Sequence, residues 1–475
     1  MLEKFFRLRE NRTSVRAELV AGLTTFMTMA YILAVNPDVL AASGMPKGGV
    51  FFATALAAVV GTLLMAAFTN YPFVLAAGMG PNFYFAYTVC GDMGYGWAFA
   101  LLAVFVEGLV FLALSVTPVR EGIFNAIPAS IKKAVAVGIG LFITLIALKN
   151  AGVLIPDKST YIKLVDFHAA PLHTSCFIAV VALVGTVLTA VLHARKVKAA
   201  ILLGILATWL LGIVAELTGL YRPDNLPGGF PSAIPHFEKG FWHALGASFG
   251  EFGQTFGAIF EPSAWTHTAK DGAVTSGWRL LLSLHFFVIM FAFFFMDLFD
   301  TLGTLIGVSL KGGFLDKQGR LPRISGALYA DSTATAVGAV LGTSTTTTFV
   351  ESAAGVAAGG RTGLTAVAAA ALFLASILLA PVFLAVPGFA TAPALVVVGF
   401  MMMTAIGGID FSDPCEGLPA FLTIVAMPFF YSISDGIMFG VISYTLVNLL
   451  AGKARKPSPV MYVLTILFLA KYALM

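Results

Sequence analysis

The sequence predicts an all-α, polytopic membrane protein of about 14 transmembrane segments in two inverted seven-segment repeats. Three observations predict it. Of the 475 residues, 59% are hydrophobic and only 11% charged, with a mean hydropathy of +0.92, far from the mix of a soluble globular domain. Apolar stretches of about 20 residues, enough to span a bilayer, recur from Ala17–Val35, Gly49–Phe68 and Trp97–Val116 onward. Two segments in matching positions of the two halves are too broken by proline, glycine and β-branched residues to be ordinary spanning helices.

The N-terminal residues MLEKFFRLRENRTSVRAE mix acids with bases and offer no short apolar core before a small-residue cleavage site. The first spanning helix, not a removable signal peptide, is therefore expected to direct insertion. The net charge of +4 sits in loops, where it reports orientation and not a nucleic-acid partner. The basic loops at Arg7–Arg16, Arg120 with Lys132 and Lys133, Arg195–Lys198, Lys311–Arg323, Arg361 and Lys453–Lys456 all follow even numbers of crossings. That places the N-terminus in the cytoplasm of a multi-pass cell-membrane protein. The acidic Asp410–Glu416 loop departs from the trend, and the short apolar stretch Pro459–Leu474 fits either a crossing or the membrane surface. Cys90, Cys176 and Cys415 are far apart in apolar surroundings without metal-ligand spacing, so they read as small buried hydrophobes, and neither metal nor cofactor is expected.

The longest polar interruption, residues 218–276, separates a first repeat (1–217, segments 1–7) from a second (277–475, segments 8–14 with the C-terminal apolar stretch). Seven crossings leave that connection outside the cell, so the second repeat enters the membrane inverted. Internal similarity supports the division. FATALAAVVGTLL from Phe52 aligns without gaps on YADSTATAVGAVL from Tyr329, with Ala53, Ala57, Val60, Gly61 and Leu64 matched by identical residues. PASIKKAVAVGIGLF from Pro128 resembles PALVVVGFMMMTAIG from Pro393, each helix expected to open on Pro-Ala.

Each half then carries its interrupted segment. In YPFVLAAGMGPNFYFAYTV, Tyr71–Val89, Pro72 disfavours helix and Pro81 suits a first helical turn, which predicts a short strand to Ala77 and a half-helix from near Pro81. In GTSTTTTFVESAAGVAAGGR, Gly342–Arg361, Ser344–Val350 favours a strand and Glu351 and Ser352 can cap the half-helix that follows. Extended backbone at membrane depth survives only where protein or a cavity completes its hydrogen bonds. Two such strands pairing across a pseudo-twofold satisfy that condition and create a site at mid-membrane.

Ionisable residues within spans cost about 2.5–3.5 kcal/mol even on the lenient insertion scale, so each is a functional candidate. They are Glu107, His285, Asp297, Asp300, Asp331 and Glu351. Asp297, Asp300, Thr301 and Thr304 recur at i, i+3, i+4 and i+7 and form one polar stripe. Low-dielectric surroundings disfavour a charged carboxyl, whereas a half-helix N-terminus favours one. Asp297 or Asp300 is accordingly the expected proton carrier and Glu351 the permanent acceptor. Asn82, after Pro81, can both donate and accept. Asp331, near a basic loop, reads as a cap or ion pair, Glu107 as a brace for an interrupted segment, and His285 as hydrogen-bonded structure. Two or three carboxylates with an amide suit a neutral, flat ligand rich in N–H donors, such as a nucleobase, and repel an anion. Phe83, Tyr84, Tyr87 and Phe349 stand near enough to stack on it.

Four motifs, TTFMTMAYILAVNP (Thr24–Pro37), GMGPNFYFAYTV (Gly78–Val89), MDLFDTLGTLIGV (Met296–Val308) and TSTTTTFVESAAGVAAGGRTGLT (Thr343–Thr365), resemble the AzgA-like purine permeases of the nucleobase-ascorbate transporter superfamily over essentially the whole chain. The resemblance implies proton-coupled transport of adenine, guanine or hypoxanthine by alternating access. It also implies a core domain of segments 1–4 and 8–11 moving against a gate domain of segments 5–7 and 12–14, in a homodimer. Carried over by motif, the substrate residues are Gly80, Asn82, Asp297 with Asp300, and Glu351; the reading of the residues themselves adds Phe349 and Ser352 beside the ligand and Glu107, Thr301, Thr304 and Asp331 in support. Pro81 departs from the apolar residue expected there. Two other readings stand beside this one: a transporter of another solute, uracil or an anion, on the same fold, and an intramembrane enzyme using DLFD as a metal motif. The second lacks another Asp-rich motif and an intramembrane basic cluster.

Overall fold

The structure, a computed structural model, describes residues 2–115, 127–157, 161–168, 172–223, 232–237, 239–268, 274–316 and 321–474. Arg120, residues 224–231, 238 and 269–273 of the polar connection, and 317–320 of the Lys311–Arg323 loop lie outside them. Among the described residues, ten helices are long and apolar enough to cross a membrane. Helix is the form that lets a spanning segment bond every backbone N–H and C=O within itself. Reaching about 14 segments takes in addition the shorter Pro414–Phe429, the more polar Ile324–Leu341 and the two segments built of strand and short helix. Outward faces are apolar, with Val187 64% and Leu210 60% exposed, a surface fit for lipid. Pro459–Leu474 is a helix docked on Ile433–Leu450, where the Thr465 hydroxyl donates to Thr445 at 2.9 Å.

The helices pack in two groups. Val15–Met29, Lys47–Thr69, Trp97–Ser115, Leu284–Gly312, Ile324–Leu341 and Gly363–Ser376 form one, and Ala129–Asn150, Phe177–Ala194, Ala200–Leu217, Gly388–Met403, Pro414–Phe429 and Ile433–Leu450 the other. Within each group the helices matched between repeats cross one another: Lys47–Thr69 on Ile324–Leu341, and Ala129–Asn150 on Gly388–Met403. At the latter crossing a Cβ on Gly140 would lie 2.7 Å from the Gly399 carbonyl oxygen, so the backbones touch as small residues allow between membrane helices. Pro393 does not open its helix as the Pro-Ala match suggests. Pro387, extended at ψ 153, supplies the break, and small residues carry the helix one turn onward to Pro393.

The strands Leu75–Ala77 and Thr346–Thr348 pair antiparallel with Ala76 opposite Thr347. The ribbon is prolonged by Gly78 N–H to Thr345 O at 2.8 Å and Phe349 N–H to Val74 O at 3.0 Å. Antiparallel pairing between equivalent strands is the arrangement an inverted repeat requires. A two-stranded ribbon still has two outer edges, costly away from water, and threonine hydroxyls meet one residue on each. Thr62 Oγ1 donates to Leu75 O at 3.3 Å and accepts its N–H at 3.0 Å. Thr335 Oγ1 donates to Thr346 O at 3.1 Å and accepts its N–H at 3.2 Å. Leu75 and Thr346 each open their strand, so the two edges are met in the same way, though by threonines at different positions of the matched helices. Thr335→Val keeps the shape and strips both bonds from Thr346, at a cost of about 1–3 kcal/mol for unpaired buried groups. The expected result is a lower thermal unfolding midpoint in detergent, while an unchanged midpoint would show that the edge needs no hydroxyl.

Loops expected on one side of the membrane meet. Lys456 pairs with Glu416 at 2.8 Å and Asp413 at 3.3 Å, Lys453 with Asp413 at 3.7 Å, and Lys133 Nζ donates to Gly408 O at 2.6 Å. The acidic Asp410–Glu416 loop thus faces basic loops, which accounts for its departure from the charge trend. Bonding to the Cys415 N–H, with the two lysines adding, holds the Asp413 carboxyl below its usual range. At the opposite end Gly48 N–H donates to Glu251 at 2.7 Å and Gly257 N–H to Val340 O at 2.7 Å, so the connection helix Phe241–Thr255 covers the start of Lys47–Thr69.

Candidate functional site

The first half-helix begins at Met79, with Gly78 as its N-cap, two residues earlier than Pro81 suggests. Pro81 still falls among the first-turn residues whose N–H groups lack an intrahelical partner, so it costs no bond. After Phe83 the coil widens into a π-helix, Tyr84–Asp92. The second half-helix, Ser352–Ala357, follows a strand trimmed to Thr346–Thr348, shorter than the Ser344–Val350 run. Beyond the ribbon, serine side chains on either side tie it to the first interrupted segment. Ser344 Oγ donates to Asn82 Oδ1, and Ser352 Oγ accepts the Val74 N–H at 3.0 Å. Glu351 precedes the helix without capping it. Its Oε1 instead accepts the Tyr31 hydroxyl at 3.0 Å.

Between the two helix groups lies a cavity of about 780 Å³, a size that suits a small organic ligand. Tyr31, Gly80, Asp300, Thr348, Phe349 and Glu351 line its inner end, Val135, Ile139, Met296 and Val398 its walls, and Lys132, Lys133 and His193 its mouth. Thr347 Oγ1 donates to Asp300 at 3.3 Å. Two carboxylates thus face one space, beside an aromatic ring and the backbone of Gly80, which is what a flat donor-rich ligand needs.

The polar stripe of the Leu284–Gly312 helix is divided. Met296, Asp300, Gly303 and Thr304 turn to the cavity. Asp297 and Thr301 are fully buried, and the Thr301 hydroxyl lies 3.5 Å from Asp297 and 2.8 Å from Asp331, joining the helix to Ile324–Leu341. Asp331 is thereby a partner of this buried cluster.

Asn82 is also drawn away from the cavity. Its Nδ2 donates to Asn36 Oδ1 at 2.5 Å, and Asn36 Nδ2 donates to Thr54 at 2.7 Å and Thr343 at 3.1 Å, a buried network tying both interrupted segments to the first two helices. Glu107 is fully buried on Trp97–Ser115. Of the residues singled out in the sequence, Gly80, Asp300, Thr304, Phe349 and Glu351 reach the cavity, while Asn82, Asp297, Thr301, Asp331, Glu107 and Ser352 do not. Tyr31, Asn36, Thr348 and the mouth residues were not singled out. Tyr31 and Asn36 both lie within the TTFMTMAYILAVNP motif, where an isolated polar group in an apolar span was the available signal.

The Xan_ur_permease model, which describes a permease family, matches residues 16–439. The chain belongs to that family. Its relatives include the guanine/hypoxanthine permease PbuO of Bacillus subtilis, 41% identical over 98% of each chain. Another is the adenine permease AdeP of Escherichia coli, 36% identical over 99% of this chain and 96% of that one. Among solved structures, the transmembrane domain of the cyanobacterial bicarbonate transporter BicA aligns at a TM-score of 0.59 and 15% identity over 90% of this chain and 97% of the other, a likeness of fold alone. This permease is thus a multi-pass transport protein, and the enzyme reading of the DLFD motif falls with the family assignment.

Proposed function

We propose that the permease carries purine nucleobases, of the hypoxanthine, guanine and adenine class, into the cell together with protons. The observation that carries this reading is the pairing of Glu351 and Asp300 at the inner end of one cavity, beside Gly80 and Phe349. Glu351 accepts purine N–H groups from the second half-helix, with Tyr31 holding one of its oxygens, while Phe349 stacks on the ring. Asp300 carries the proton, because it faces the ligand space whereas Asp297 lies behind it in contact with Thr301. The Asn36–Asn82–Ser344 network positions the interrupted segments. The names of the two relatives above agree with purine as the substrate class, and the two inner carboxylates disfavour the anion alternative.

In this reading the group holding both half-helices is the core and the other the gate. Rocking one against the other exposes the cavity to each side in turn. The mouth at Lys132 and Lys133 faces the cytoplasm, as does the N-terminus, in a cell-membrane homodimer. The test is uptake of radiolabelled hypoxanthine, guanine, adenine and uracil by proteoliposomes under an imposed proton gradient. Purine accumulation that collapses with a protonophore is expected. Accumulation that survives the protonophore and collapses on sodium removal would overturn proton coupling, and preference for uracil would overturn the substrate.

A further inference from the structure

We infer that the cavity also binds a purine nucleoside monophosphate from its mouth, the base on Asp300 and Glu351 and the phosphate on Lys132, Lys133 and His193. The nucleotide would thereby block the carrier. This rests on the purine reading above.

The lining is electrically polarised. Among its described residues the acids are Asp300 and Glu351 at one end, and the basic residues are Lys132, Lys133 and His193 at the other. A free base uses only the acidic end. The register of the Ala129–Asn150 helix joins the two ends. Lys132, Val135, Ala136 and Ile139 all line the cavity at i, i+3, i+4 and i+7, a single face. Ile139 packs at the base end, since a Cβ on Gly80 would lie 3.3 Å from its Cγ2. Lys132 is seven residues nearer the mouth, about 10 Å at 1.5 Å per residue. A ribose phosphate attached to the base bridges that gap with the lysine side chain reaching toward it.

Orientation alone explains why lysines occur near this end of the helix, but it does not turn one into the wall of a cavity. Lys132 and Lys133 are also the fourth and fifth residues of a 22-residue helix, near the positive end of its dipole, where cations are disfavoured and an anion is welcome. Lys133 Nζ is held at the mouth by the Gly408 carbonyl at 2.6 Å. The nearby Glu416 does not line the cavity and is engaged by Ser130, Tyr444 and Lys456. Lys132, Lys133 and His193 line the same cavity, and a phosphate there would form charge-assisted hydrogen bonds with them.

The experiment measures radiolabelled hypoxanthine binding to the purified full chain, with inosine 5′-monophosphate, inosine and inorganic phosphate as competitors, in wild type and Lys132→Gln/Lys133→Gln. Inosine 5′-monophosphate should compete about tenfold better than inosine, one tenfold step being about 1.4 kcal/mol, and the double variant should erase that advantage while binding hypoxanthine as wild type does. An equal potency of nucleotide and nucleoside in wild type overturns the inference whatever the variant does. Inhibition by inorganic phosphate that matches the nucleotide assigns the mouth to a free anion and overturns it as well. Failure of hypoxanthine itself to bind instead removes the proposed function, a separate and recognisable outcome.

Discussion

Glu351→Gln is expected to remove most purine binding, with affinity falling between about tenfold and a hundredfold. The substitution keeps size and backbone but replaces one acceptor oxygen by an amide donor, and that donor faces a ligand whose edge already presents N–H groups. A buried polar group left without its partner costs about 1–3 kcal/mol, which is about one to two decades in the dissociation constant. The Tyr31 hydroxyl still finds an acceptor in the Gln carbonyl, so the loss is not a by-product of freeing Tyr31, which donates to Oε1 at 3.0 Å in the native site. Equilibrium binding of radiolabelled hypoxanthine to purified protein checks it. An unchanged dissociation constant would take Glu351 out of the ligand site, whatever its place in the cavity wall.

Asp300→Asn should leave binding and exchange largely intact and abolish accumulation. The amide imitates the protonated carboxyl and cannot release a proton, so the loaded carrier still moves while the gradient loses its handle. One charge moved with the substrate across 100 mV is worth about 2.3 kcal/mol, equivalent to about fiftyfold accumulation at 1.36 kcal/mol per decade, and that is the amount at stake. Counterflow in proteoliposomes reads exchange, and uptake under an imposed gradient reads coupling. Should Asp300→Asn accumulate purine normally, with its pH dependence intact, the proton travels by another group. Asp297, fully buried behind the cavity against Thr301, is then the next to replace.

The membrane class, the division into inverted halves and the positions of the two breaks were legible in the chain. Each is a property of a local run: absence of charge over a span, proline and glycine where a helix cannot continue, β-branched threonines where a strand is favoured. Of the chemistry-bearing residues, Glu351 and Gly80 stood out for the same reason, since both sit at a break. What the chain left open was which neighbours those residues meet. Asp297 and Asp300 lie on one broad polar stripe by periodicity, yet they differ by about 60° around the helix. Packing against Trp97–Ser115, with the Thr301 hydroxyl bonded to Asp331, leaves Asp297 fully buried and Asp300 facing the cavity.

Sequence by itself thus determined that carboxylates would be buried in membrane and roughly how deep along each segment, because hydropathy and breaks act through adjacent residues. Tertiary structure alone decided their company: Tyr31 on Glu351 across 320 positions, Asn82 on Asn36 and Ser344 instead of the cavity, and Lys132 in the wall of the same space as Asp300. The rotation of a helix about its axis, and the partner it meets, are set by contacts between segments distant in the chain, and no local pattern encodes them.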